Sequence, residues 1–180
     1  MRIIAGRAKG RTLASPRGPA TRPLTGRARE AVFSSLGDSV IGATVLDAYA
    51  GTGSIGLEAL SRGAVSAVFM ERSRSALAVI RRNVERVGLG GTIVPGDVVA
   101  SLSADANTYD FAFVDPPYDT GNPEVEAVLA AMEGRLGRGA WVVVHRRTGT
   151  PLPAPPPFLR LVDRRRYGDG EVLRFVEEQP

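Results

Sequence analysis

The chain has 180 residues, 43% of them hydrophobic, a formal net charge of +4 at neutral pH and no cysteine. That length suits one domain with a full core, and no apolar run approaches the ~20 residues that a membrane-crossing helix needs. Disulfides, thiolate metal sites and thiol nucleophiles are excluded. The basic start is not followed by an apolar stretch, so it does not read as a secretory signal, and a cytoplasmic protein is expected.

Arg2, Arg7, Lys9, Arg11, Arg17, Arg22, Arg27 and Arg29 are the only charged side chains among the first 29 residues. A single-sign block of this kind points to a polyanionic partner. Residues 2–5 and 11–13 read as a short hairpin across residues 6–10, and 15–23 as a loop. Thr25 is placed to cap a helix over 27–36, where Ala28, Ala31, Val32 and Leu36 recur at helical spacing and Gly37 marks the stop. Strands are then expected at 44–48, 66–71, 92–94, 109–115 and 140–145. Between them lie helices at 54–62, 73–87, 97–102 and 123–133. Such alternation, with near-continuous apolar strands, predicts a parallel sheet covered on both faces. After the proline-rich stretch 151–157, strands at 158–167 and 171–176 flank Gly168-Asp169-Gly170, a hairpin signal.

Residues 45–56, Val-Leu-Asp-Ala-Tyr-Ala-Gly-Thr-Gly-Ser-Ile-Gly, place a G-x-G-x-x-G between strand and helix, the pattern of a dinucleotide loop. Glu71 stands twenty positions past Gly51, where an acid can hold ribose hydroxyls. Asp47 separates the alternatives. A carboxylate four residues before the first glycine would repel a pyrophosphate, whereas it favours S-adenosylmethionine, which carries an ammonium and a sulfonium and no phosphate. Asp47, Ala48, Tyr49, Gly51, Thr52, Gly53, Glu71, Asp97 and Asp115 are therefore the candidate cofactor residues. Asp97 can accept from an adenine amine, cap the helix that follows it, or do both.

Asp115-Pro116-Pro117-Tyr118 ends the fourth expected strand. Two prolines cannot continue a ladder, so the strand stops on a carboxylate, a rigid carbonyl and an aromatic ring. The tetrapeptide matches the D/N-P-P-Y/F/W signature of methyltransferases acting on amino groups of bases. Asp115 and the Pro116 carbonyl would each accept one N–H of an exocyclic amine, Pro117 would stiffen the turn, and Tyr118 would stack on the base. The base must be unpaired or flipped out to arrive there. No metal is required. His145 is the one histidine; with no evident partner it reads as structural or exposed. Arg146-Arg147 and Arg164-Arg165-Arg166 read mainly as solvated charge, and Trp141 as core.

These motifs, with Arg2-Ile3-Ile4-Ala5-Gly6, Lys9-Gly10-Arg11, Arg22-Pro23, Arg29-Glu30-Ala31-Val32-Phe33 and Glu58-Ala59-Leu60-Ser61-Arg62-Gly63-Ala64, resemble the RsmD family of small-subunit ribosomal RNA (guanine-N2) methyltransferases over nearly the whole chain. The resemblance implies a class I methyltransferase: an α/β, Rossmann-like, mostly parallel seven-stranded sheet closing with a C-terminal antiparallel hairpin, with an N-terminal extension. It implies S-adenosylmethionine as cofactor and a guanine of an assembled small ribosomal subunit as target. It also makes residues 1–25 an RNA-contacting hairpin arm and residues 26–180 the methyltransferase domain. Arg2, Arg7, Lys9, Arg11, Arg22 and Arg29 are the expected RNA contacts, and a monomer is expected. Leu24 and Gly26 depart from the family, which usually has threonine and an acid there. Adenine-N6 methylation of nucleic acid, a non-catalytic RNA-binding role and, more distantly, nicotinamide chemistry are the alternatives.

Overall fold

A computed structural model of the chain describes residues 1–15 and 24–178. Seven strands form one sheet: β1 (Thr44–Ala48), β2 (Ser66–Glu71), β3 (Thr92–Pro95), β4 (Tyr109–Val114), β5 (Leu136–Arg147), β6 (Leu159–Tyr167) and β7 (Gly170–Glu177). Their order is β3-β2-β1-β4-β5-β7-β6. The first five are mutually parallel, and β7 runs antiparallel to both β5 and β6. Five helices cover the sheet: α1 (Gly26–Leu36), α2 (Ser54–Arg62), α3 (Arg74–Val87), α4 (Val98–Ala104) and α5 (Asn122–Ala130). This is the expected doubly wound sheet with its C-terminal hairpin.

The continuous apolar strands are explained by their period of two. Along β4, Phe111 and Phe113 join the core under α1 and α2, whereas Ala112 and Val114 join the core that contains Val125, Val128 and Leu129 of α5. Each face needs its own apolar set, so no polar alternation survives in the sequence. Helix ends follow their capping chemistry. Thr25 Oγ1 accepts from the Ala28 N–H, Ser73 Oγ from Ala76, and Gly88 ends α3 in the left-handed region at φ 64°. A 3₁₀ turn over Gly37–Val40 follows α1. β5 begins four residues earlier than expected, because Leu136 pairs with Tyr109 ahead of a register shift. α5 stops at Ala130, three residues short of the expected end.

One aromatic ring sets the spacing of α2. A Cβ on Gly56 would lie 2.4 Å from Phe69 Cε1, and one on Gly91 would lie 2.5 Å from Cε2 on the opposite edge of the same ring. Phe69 is fully buried. The glycines let helix and strand approach until this ring fills the gap between them.

The N-terminal residues are not a free arm. Arg2 and Thr12 form a single antiparallel bridge, while Ile3, Ala8, Leu13 and Leu24 are buried in the same core as Val45 and Leu57. Glu58, with no exposed surface, accepts from the Ile4 N–H at 2.7 Å and the Ala5 N–H at 3.0 Å. Ser61 Oγ accepts from the Ala8 N–H at 2.9 Å. Buried Asn83 accepts from the Ala14 N–H at 2.8 Å and donates to the carbonyls of Ala14 and Thr52. Across the division expected at residue 25, the described N-terminal residues share their core with the rest of the chain. The hairpin starts the main core, since its apolar side chains need α2 and α3 to cover them. Arg17 and Arg22, in the expected 15–23 loop, lie outside the described residues.

Candidate functional site

The order of strands reverses between β1 and β4, and a crevice opens beyond the carboxyl ends of strands at such a point. Most of the expected site residues meet there. After β1 the chain turns sharply: Tyr49 has φ 59°, the one positive φ outside glycine among the described residues, followed by Gly51 at 55° and Gly53 at 73°. A tyrosine held in this region marks a backbone over-determined by its surroundings. Its hydroxyl donates to Glu124 Oε1 at 3.2 Å. Burial and this neighbouring carboxylate push the phenol well above its ordinary pKa, so it stays protonated.

Acids ring the crevice. Asp47 is buried and accepts from the Gly56 N–H at 2.9 Å. Its carboxyl is held well above the usual range, first by burial, with further upward pushes from the nearby charges of Asp115 and Glu71; the Gly56 hydrogen bond and Arg29 oppose these. Glu71 ends β2 and takes the Gly51 N–H on one oxygen at 2.9 Å and the Ser73 N–H on the other at 2.7 Å. Asp97 stands exposed after β3, and its Oδ1 accepts from the Ala100 N–H at 3.1 Å. Its cap role is thus realised, and its exposure leaves it reachable. Thr52 lies in the same turn, its carbonyl held by Asn83. Glu71, Asp97 and Asp115 around glycine-lined backbone suit a cationic, phosphate-free ligand and would repel a pyrophosphate. Gly51, Gly53, Glu71 and Asp97, all expected cofactor residues, stand at the carboxyl ends of β1, β2 and β3, with Asp47 behind the loop.

Asp115 directly follows β4, and its N–H reaches the Ala48 carbonyl at 3.4 Å. Pro116 is buried, Pro117 and Tyr118 are half-buried, and the Thr120 N–H closes the turn on the Pro117 carbonyl at 3.0 Å. The Asp115 carboxylate already has two partners. Oδ2 accepts from the Leu24 N–H at 3.2 Å, and Oδ1 lies 2.7 Å from His145 Nδ1. His145 is therefore buried, with only 5% of its surface accessible, which fits the structural alternative of the sequence reading, but it has the partner that the sequence did not disclose. The missed signal was the sheet register. Val114 pairs with Val144, so the residues following each strand position are neighbours. The Tyr118 ring centre is 5.7 Å from that of His145 at a 58° tilt. The two rings share a cavity of about 200 Å³ with Thr25, Ala28 and the Tyr167–Gly170 turn.

The basic residues divide. Arg2 and Lys9 are exposed. Arg7 reaches the Leu60 carbonyl at 3.4 Å, and Arg11 donates to the last carbonyls of α3, Arg86 at 3.2 Å and Val87 at 2.5 Å, where the helix dipole favours a cation. Arg29 is not the surface contact that its charge suggested. It is 2% exposed and donates to the Arg2 carbonyl at 2.7 Å, and its Nε and Nη1 have no partner among the described residues. It sits four residues before Phe33 on the buried face of α1. Arg2, Lys9 and Arg29 line a cavity of about 580 Å³. Arg164 and Arg166 pair with Glu171, Arg165 and Arg174 with Asp163, and Arg146 is buried on the Thr120 carbonyl. Trp141 packs at the edge of the core, under Arg174. Among the described residues no group of acids and histidines could hold a metal, and no helix is long and apolar enough to cross a membrane.

Solved proteins share this architecture. A protein of Thermus thermophilus, TTHA0928, superposes with a TM-score of 0.85 at 32% identity, covering 99% of each chain. The yhhF protein of Escherichia coli gives 0.87 at 30%, covering 99% of this chain and 98% of that one. The "Ribosomal RNA small subunit methyltransferase D" of Escherichia coli K12 is 34% identical over 157 residues, 87% of this chain and 79% of the relative. The fold is that of S-adenosylmethionine-dependent methyltransferases. The family described as "Conserved hypothetical protein 95" matches residues 1–176, so the chain belongs to it, the RsmD family.

Proposed function

We propose that this protein transfers a methyl group to the N2 amine of one guanine in small-subunit ribosomal RNA, acting as a cytoplasmic monomer on an assembled subunit. The observation that carries the reading is the Asp115 carboxylate. It stands at the end of β4 beside the acid-ringed crevice, held by two donors, next to a ring-walled cavity.

Bound S-adenosylmethionine supplies an electrophilic methyl on a positive sulfur. The chain's residues orient the acceptor. Each carboxylate oxygen can take two hydrogen bonds, so the contacts of Leu24 and His145 leave Asp115 able to accept an N–H of the amine. The Pro116 carbonyl accepts the other, which turns the nitrogen lone pair toward the crevice. Tyr118 stacks on the flipped base, an interaction typically worth ~1–3 kcal/mol. The acidic proton left on the methylated nitrogen passes to Asp115 or to water. Arg2 and Lys9 contact backbone phosphates from the exposed side of the N-terminal hairpin.

The test is methyl transfer to small subunits purified from a strain lacking this gene, with mass spectrometry of the product nucleoside. Expected is one N2-methylguanosine with wild-type protein and none with Asp115→Ala, which still binds cofactor. An N6-methyladenosine product would reassign the substrate to adenine. Turnover within a few fold of wild type in Asp115→Ala would remove Asp115 from the reaction.

A further inference from the structure

We propose that His145 is a positioning residue for the transfer reaction, acting through Asp115. The proposal rests on the reading of Asp115 as the acceptor for the substrate amine. An ionised carboxylate only accepts hydrogen bonds, so the 2.7 Å contact requires the proton on Nδ1 of His145. The ring is fixed at its other end as well: a Cβ on Gly170 would stand 2.4 Å from His145 Nε2. Gly170 opens β7 just after the hairpin turn, so the C-terminal hairpin backs the imidazole and the imidazole backs the acid. From the opposite side the Leu24 N–H holds the second oxygen at 3.2 Å.

Both contacts are needed for geometry. The torsion that turns a carboxylate about its last bond has broad wells, unlike the staggered wells of saturated bonds. One donor leaves the plane free to swing, whereas two donors on different oxygens from different elements define it. An amine accepted by that plane must present its lone pair in line with the methyl donor, and small misplacements of reacting groups cost rate steeply. His145 touches neither methyl nor amine in this scheme. It fixes the group that does.

Three substitutions separate positioning from packing. His145→Phe keeps a ring in the pocket and removes the donor. His145→Asn loses the ring but places an N–H where Nδ1 stood, one bond from Cγ. Gly170→Ala leaves His145 in the sequence and drives its ring off Asp115. With small ribosomal subunits as substrate, His145→Phe should lower kcat about 10- to 100-fold at unchanged KM for S-adenosylmethionine. His145→Asn should return kcat to within about threefold of wild type, and Gly170→Ala should fall with His145→Phe. A purely structural histidine predicts the reverse order, since Asn empties the pocket and Phe fills it. Wild-type kcat in His145→Phe, or equal loss in Phe and Asn, overturns the proposal; should His145→Phe not fold, wild-type kcat in Gly170→Ala does the same. If Asp115→Ala itself keeps turning over, the reading of Asp115 fails instead, whatever His145 does.

Discussion

Gly56→Ala tests the packing that sets the cofactor loop. The new methyl would meet Phe69 Cε1 at 2.4 Å, Cζ at 2.9 Å and Cδ1 at 3.2 Å. Carbon contacts settle at ~3.5–4.0 Å, so the ring would have to retreat by about 1 Å. It cannot, because Gly91 grips the opposite edge and Gly53 stands beside Cε1. The Gly56 N–H that serves Asp47 remains in the variant, so the effect isolates sterics. Overpacking costs ~1–3 kcal/mol, and we take the upper half for a ring held on both edges. Alanine's helix preference returns up to ~1 kcal/mol, leaving a net loss of about 1–2 kcal/mol. For a chain of this size the melting temperature should fall by about 2–8 °C. Urea unfolding of Gly56→Ala, Phe69→Leu and the double variant completes the cycle. The double variant should be more stable than the sum of the singles by at least about 1 kcal/mol. An unchanged or raised Tm in Gly56→Ala, or additive singles, would refute the argument.

Asp47→Asn should leave the free protein as stable as wild type or more so at pH 8. The folded-state pKa of Asp47 is raised, so ionisation is penalised in the native state and stability is lost as pH climbs from the unfolded value of ~3.9 through the folded one. The variant's advantage in thermal melts should vanish near pH 4, and a loss that grows with pH would contradict the burial argument. Asn83→Leu should cost at least about 2 kcal/mol in chemical denaturation, because it strands the Ala14 amide and two carbonyls. Exchange of the Ala14 amide should accelerate in the same variant. Arg2→Ala with Lys9→Ala should reduce the salt slope of single-stranded RNA binding by ~1.4, at ~0.7 per phosphate, without changing cofactor affinity. An unchanged slope removes these side chains from the RNA interface. Truncating the N-terminus would be a poorer test, since it would uncover the core beneath Ile3, Ala8 and Leu13.

The three elements β1, α2 and β2 fall on their expected bounds because each is short, closely punctuated by glycine and strongly apolar. Asp47, the glycines, Glu71 and Asp115 converge as expected, since residues at the ends of adjacent parallel strands share one edge of the sheet. What escaped were partnerships across that sheet. His145 is thirty positions from Asp115 and meets it only through the β4–β5 register. The charge of Arg29 suggests a surface contact, although its spacing to Phe33 and Leu36 puts it on the buried face of α1. Leu24 offers Asp115 a main-chain N–H, which no side-chain pattern discloses.

The fastening of the first residues to Glu58, Ser61 and Asn83 has a consequence for synthesis. Ala14 and Asn83 are separated by 69 positions, which a ribosome covers in roughly 3–14 seconds at ~5–20 residues per second. Until then Ile3, Ala8 and Leu13 lack the part of their cover that α3 supplies, on a segment that carries arginines and a lysine. Residues 1–14 therefore complete their docking only once residue 83 is made, and a delay before that point would prolong the exposure of their apolar side chains.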